Sequence, residues 1–102
     1  MINEEAIRIV EEIEKLSEGG GEYDPVILQA ICRSTYVLRV SLADDLLIRG
    51  KLSSIESWST ILFSARRHED WGGPATIRTF ILEDCAGLKQ IIRSSEGKGE
   101  NP

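Results

Sequence analysis

A chain of 102 residues, 41% hydrophobic and 28% charged, has the composition of one ordinary globular domain, near the small end of what holds a core unaided. No apolar run approaches the ~18 residues of a membrane span and no basic-then-apolar leader opens the chain, so a cytoplasmic protein with no membrane partner is expected. The net charge of −5 argues against a generally basic, nucleic-acid-binding surface, but the acidity is uneven: residues 1–22 hold seven Glu against Arg8 and Lys15, and the rest sums to zero.

The first predicted helix covers 4–18. Asn3 is an N-cap residue type, Glu4 and Glu5 follow in the first turn where the helix dipole favours anions, and Ala6, Ile7, Val10, Ile13 and Leu16 recur at helical spacing. Glu11 and Lys15 make an i,i+4 pair. The glutamates read as a solvated face: a carboxylate metal site would need a Glu-x-x-His partner, and the only histidine, His68, has Ala65 three residues before it. No metal or cofactor is expected. Gly19-Gly20-Gly21 lacks the Lys-Ser/Thr or spaced glycines of a phosphate loop and reads as a connector.

The stretch that organises the chain runs from Asp24 to Gly50. Asp24-Pro25 is a helix start, Arg49-Gly50 a helix stop, and neither Gly nor Pro lies between. One long second helix is predicted. At about 100° per residue, Ile27, Leu28, Ile31, Thr35, Leu38, Leu42 and Leu46 share a core-facing stripe. A second apolar row, Cys32, Tyr36, Val40, Ala43 and Leu47, lies nearly opposite. A helix apolar on two faces is either central in its own domain or shared between subunits. A domain this small can hardly wrap one helix, so the second row is expected to be a homo-oligomer interface.

Ser53 and Glu56 match a capping box, which predicts a third helix from 53 to about 70 with Ile55, Trp58, Ile61, Leu62 and Ala65 inward. It ends in Arg66-Arg67-His68-Glu69-Asp70-Trp71, where cations suit the helix dipole. Gly72-Gly73-Pro74 breaks the chain, and a last helix follows to about Arg93 on Ile77, Phe80, Ile81, Cys85, Leu88, Ile91 and Ile92. Gly87 interrupts that stripe at a cost of roughly 1 kcal/mol relative to alanine, a cost that close helix packing would justify. Residues 1–94 thus form a single helical domain and 95–102, without an apolar residue, a disordered tail. The fold class is all-α: a four-helix bundle or helical-hairpin array with a long second helix.

Catalysis finds no foothold. Cys32 and Cys85 lack CxxC spacing and sit on apolar surroundings, so packed free thiols are expected. No local motif sets a nucleophile beside His68 with an orienting acid. The expected function is non-enzymatic: assembly or adaptor work with a protein partner. The alternative is nucleic-acid recognition by Arg49, Lys51, Arg66 and Arg67, which flank the third helix.

Residues 4–52 carry a resemblance that bears on that alternative. An amphipathic helix with Glu5-Ala6, a glycine turn, Asp24, then a helix bearing Ile27-Leu28, Tyr36 and Leu46-Leu47 and closing at Gly50 resembles the small-terminase family of tailed bacteriophages. In that family such helices assemble into rings that recognise viral DNA and load it onto the packaging motor. The resemblance implies a DNA-recognition subunit; it transfers no single functional residue, and the family's C-terminal ending has no counterpart here.

Overall fold

The computed structural model describes residues 2–19, 23–42, 45–64 and 69–100, with side chains through 94. Four helices are present and, among the described residues, no strand, as the all-α reading expects: α1 (Asn3–Glu18), α2 (Pro25–Ser41), α3 (Leu46–Phe63) and α4 (Pro74–Glu100), with a 3-10 turn at Glu69–Trp71. Each helix packs on the two next to it in a closed cycle, α1 on α2, α2 on α3, α3 on α4 and α4 on α1. Neighbours run antiparallel where cross-links mark them. Asn3 Nδ2 donates to the Ile92 carbonyl at 3.1 Å and Arg78 Nε to the Ser17 carbonyl at 3.0 Å, so α1 and α4 are clamped at both ends.

The core is the seam where the four apolar stripes meet. Ala6, Val10 and Ile13 come from α1, Ile31 and Leu38 from α2, Ile48, Leu52, Ile55, Leu62 and Phe63 from α3, and Ile77, Ile81, Cys85, Leu88 and Ile92 from α4. Burying each large aliphatic side chain is worth roughly 1.5–3 kcal/mol, so this seam, rather than helix propensity, holds the bundle together. Lys89 stitches α1 to α4 above it, 2.9 Å from Glu14 and 3.8 Å from Glu11.

The long second helix is corrected. α2 ends at Ser41, the Leu42 backbone leaves helical geometry (φ −123°, ψ 34°), and α3 begins at Leu46. The cause is Asp45, whose carboxylate accepts the Leu47 and Ile48 N–H groups at 2.9 and 3.3 Å and so caps a new helix. Gly50, expected as a stop, lies inside α3. Ser53 and Glu56 form no capping box: both are interior to α3. Glu56 instead receives Arg39 Nη2 and the Thr35 hydroxyl of α2, each at 2.6 Å, tying α2 to α3. Asp24 does cap α2, as expected, accepting from Val26 and Ile27.

At the N-terminus, Ile2 rather than Asn3 occupies the cap position, and the Asn3 amide is spent on α4. α3 ends at Phe63 rather than near 70. Residues 65–68 lie outside the described residues. Trp71 packs edge-on against Trp58 (ring centres 5.3 Å apart), and Trp58 leans on Phe80 at 4.7 Å, closing that end of the α3–α4 seam. The helical backbone of α4 continues to Glu100, into the segment assigned to the tail from sequence. Gly87 lies under Lys51: a Cβ there would meet the Lys51 side-chain carbons at 3.2 Å.

Candidate functional site

The α2 helix turns Ile31, Thr35 and Leu38 into the core, which leaves Val26, Gln29, Arg33, Tyr36, Val37 and Val40 on the opposite side. Four of those six are apolar and open to solvent: Val26 is 74% exposed, Tyr36 64%, Val40 62% and Val37 37%. At the end of α2 the chain adds Leu46 (78%) and Leu47 (69%) on the first turn of α3. Among the described residues, no other helix exposes a comparable set of large apolar side chains. The exposed positions of α1 are Glu4, Glu5, Arg8, Glu11, Glu12, Lys15 and Glu18; those of α3 beyond its first turn are Arg49, Gly50, Ser53, Ser57 and Thr60. Exposed apolar residues occurring singly are ordinary, whereas a contiguous patch marks an interaction surface.

The expected interface row is therefore only partly assembled. Tyr36 and Val40 lie on the outer face of α2. Cys32 is half-buried at the edge of that face towards α3, close enough to Glu56 for its thiol to feel the carboxylate. Leu47 is exposed but belongs to α3, because the helix breaks between Val40 and Leu47. Ala43 lies outside the described residues. The row also omits Val26 and Val37, which the same 100° periodicity places beside Tyr36 and Val40, and Leu46, which was assigned to the core stripe and is instead the most exposed of the set.

The expected nucleic-acid set is scattered. Arg49 is exposed on α3. Lys51 points towards α4, with Nζ 3.6 Å from Asp84, whose other carboxylate oxygen accepts the Ser54 hydroxyl. Arg66 and Arg67 lie outside the described residues, as does His68.

Thiol chemistry fares no better. Partial burial, and then the Glu56 carboxylate, raises the Cys32 thiol above its ordinary range. Burial, followed by the Glu14 and Asp84 carboxylates, pushes Cys85 up to about 12. A reactive thiol needs the opposite environment, electropositive and accessible. Both cysteines are free. No group of three or more His, Cys, Asp or Glu suited to a metal occurs among the described residues. Two open depressions run along α1, lined mainly by its own charged side chains, among them Arg8, Glu11 and Glu12. Among the described residues no helix is long and apolar enough to cross a membrane. Comparison with protein-family models, with curated proteins and with solved structures finds no match to this chain.

Proposed function

We propose that this protein is a non-enzymatic, cytoplasmic assembly or adaptor protein that self-associates through the outer face of α2. One observation carries the reading: among the described residues, the outer face of α2 leaves Val26, Tyr36, Val37 and Val40 open to solvent, and Leu46 and Leu47 are open on the first turn of α3. A helix face of this kind in water costs solubility unless something covers it, and an identical copy supplies a matching apolar surface. Tyr36→Glu sets a charge in the middle of the patch while touching no core contact. The expected result is an oligomer by light scattering for the parent chain, and a monomer with unchanged far-ultraviolet circular dichroism for the variant. An oligomer that ignores Tyr36→Glu would move the interface elsewhere.

The alternative is a DNA-recognition subunit of the small-terminase kind. It rests on the exposed cations Arg33 and Arg49 on the α2–α3 side of the bundle; the likeness of residues 4–52 keeps its apolar positions but loses the helix that closed at Gly50. It requires binding to short duplex DNA that weakens steeply with salt and is lost on Arg66→Ala/Arg67→Ala.

A further inference from the structure

We infer that α2 is a detachable element of this fold: it undocks as a unit while α1, α3 and α4 stay packed, and Glu56 is its latch. The inference uses the inner face of α2 and its ties to α3, so it does not rest on self-association through the outer face.

The four helices are not held alike. α1 is fastened to α4 along its length, by Asn3 on the Ile92 carbonyl, Lys89 on Glu14 and Arg78 on the Ser17 carbonyl. α3 is fastened to α4 by Asp84, which accepts the Ser54 hydroxyl and lies 3.6 Å from Lys51 Nζ, and by Trp58 leaning on Phe80. α4 thus joins both of its neighbours, and these three helices hold together without α2. The ties of α2 are fewer and converge. Among the described residues, its short side-chain hydrogen bonds to α3 end on one carboxylate, Glu56, which receives Arg39 Nη2 and the Thr35 hydroxyl at 2.6 Å each. The approach of Arg39 to Ser53, at 3.5 Å, is too long to add much. A backbone bond from Asp24 to the Phe63 carbonyl holds the residue ahead of α2 rather than the helix itself.

Burial follows the same division. α3 and α4 each bury five apolar side chains in the core, whereas α2 buries Ile31 and Leu38. Between those two, the buried position is Thr35, a hydroxyl where the stripe would otherwise carry hydrocarbon. α1 buries little more, Ala6, Val10 and Ile13, but it has the links to α4 that α2 lacks. The outer face of α2 adds nothing to the docked state, since Val26, Tyr36 and Val40 stand in water already. A unit opens at a cost set by what it buries and breaks, and the elements that move in binding come from the low end of that scale. Glu56 is the latch because removing its carboxylate releases both links together and orphans neither donor. The Thr35 hydroxyl keeps the Cys32 carbonyl at 2.9 Å, and Arg39, partly exposed, turns to water. Undocking uncovers the sides of α1 and α3 on which α2 packs, so the core opens along one seam.

The test is amide hydrogen exchange of the full chain, read helix by helix. A dilution series separates undocking from any association that covers α2 and slows its exchange. The amides of residues 28–41 should exchange at least about tenfold faster than those of residues 77–92, through an opening that depends only weakly on urea. Glu56→Ala should speed α2 by about a further tenfold, the weight of charge-assisted hydrogen bonds to a partly exposed carboxylate, and leave α4 unchanged. Alanine suits a helix interior, so α3 itself is kept. Lys89→Ala, which loosens α1 from α4, is the control and should leave α2 exchange as it was. If α2 and α4 exchanged in step, or if the two variants sped every helix alike, α2 would unfold only with the whole domain and the inference would fall. If Glu56→Ala left α2 unchanged, Glu56 would not be the latch.

Discussion

The break between α2 and α3 makes a quantitative claim about two residues eight apart. Asp45 accepts two first-turn N–H groups of α3, from Leu47 at 2.9 Å and from Ile48 at 3.3 Å. Removing an N-cap of this kind typically costs about 1 kcal/mol, within a range of roughly 0.5–2. Asp45→Ala should therefore lower the melting temperature by roughly 4–8 °C in a domain of this size, and Asp45→Asn, which keeps an acceptor, should lose little of that. Ser53, the residue that looks like a cap in the sequence, sits exposed on the second turn of α3, its hydroxyl 3.5 Å from Arg39 Nη2, too long for a useful hydrogen bond. Ser53→Ala should be neutral or stabilise by a few tenths of a kcal/mol through helix propensity. Urea denaturation followed by circular dichroism, run at several protein concentrations so that association is separated from folding, resolves the two. If Ser53→Ala lost about 1 kcal/mol and Asp45→Ala nothing, the helix boundary would lie at 53 and the outer face described for α2 would have to be redrawn.

Two further outcomes follow from buried groups and close approaches. Cys85 is protonated in the fold up to about 12, against 9.0 for the free thiol, so the native state holds a proton that the unfolded chain releases. Its contribution is intact below pH 9 and falls as pH rises towards 12, by at most about 1.4 kcal/mol per pH unit; Cys85→Ala should flatten that part of the stability–pH curve, and parallel curves for parent and variant would contradict the burial. Gly87→Ala should stabilise by about 0.5–1 kcal/mol, because the new methyl meets only the flexible end of Lys51, whereas Gly72→Ala should destabilise by more than about 1 kcal/mol. Gly72 holds φ +94° and a Cβ there would press on the Thr76 side chain at 3.1–3.2 Å, so equal effects at the two glycines would mean that neither environment is as described.

Much of the fold is legible in the periodicity of apolar residues. The stripes of α1 and α4 emerge buried nearly as the spacing places them, because each is bounded by glycine or proline and each has a single apolar face. Apart from helix ends, at Ile2, Phe63 and Glu100, the failure lies in 42–53, where two helices abut without a glycine or proline to mark the joint. Local capping signals compete there: Asp45 and Ser53 both suit a cap, and the pairing of Glu56 with Ser53 at the right spacing imitates a capping box. What decides between them is tertiary. Glu56 gains more as the shared acceptor of Arg39 and Thr35 across the α2–α3 seam than as a cap, and antiparallel packing of α2 on α3 requires the chain to turn before it.

The same misplacement explains why the exposed apolar row was only half legible. Tyr36 and Val40 could be read because they lie within one helix, where 100° per residue holds. Leu46 and Leu47 could not, since a continuous helix assigns Leu46 to the core and Leu47 to the outer row; with α2 ending at Ser41, both stand on the first turn of α3, before its core stripe begins at Ile48. The break puts exposed apolar residues on two helices. A single straight helix would have offered a narrow ridge of alternate residues. Leu46 and Leu47 instead stand exposed at the start of α3, so that two helix ends, not one, carry open apolar side chains. Charge interrupts the exposed apolar positions at Arg33, between Val26 and Tyr36, and returns at Arg49 beyond Leu47. A patch bordered by cations is covered best by a partner that brings apolar side chains to its centre and negative groups to its margin.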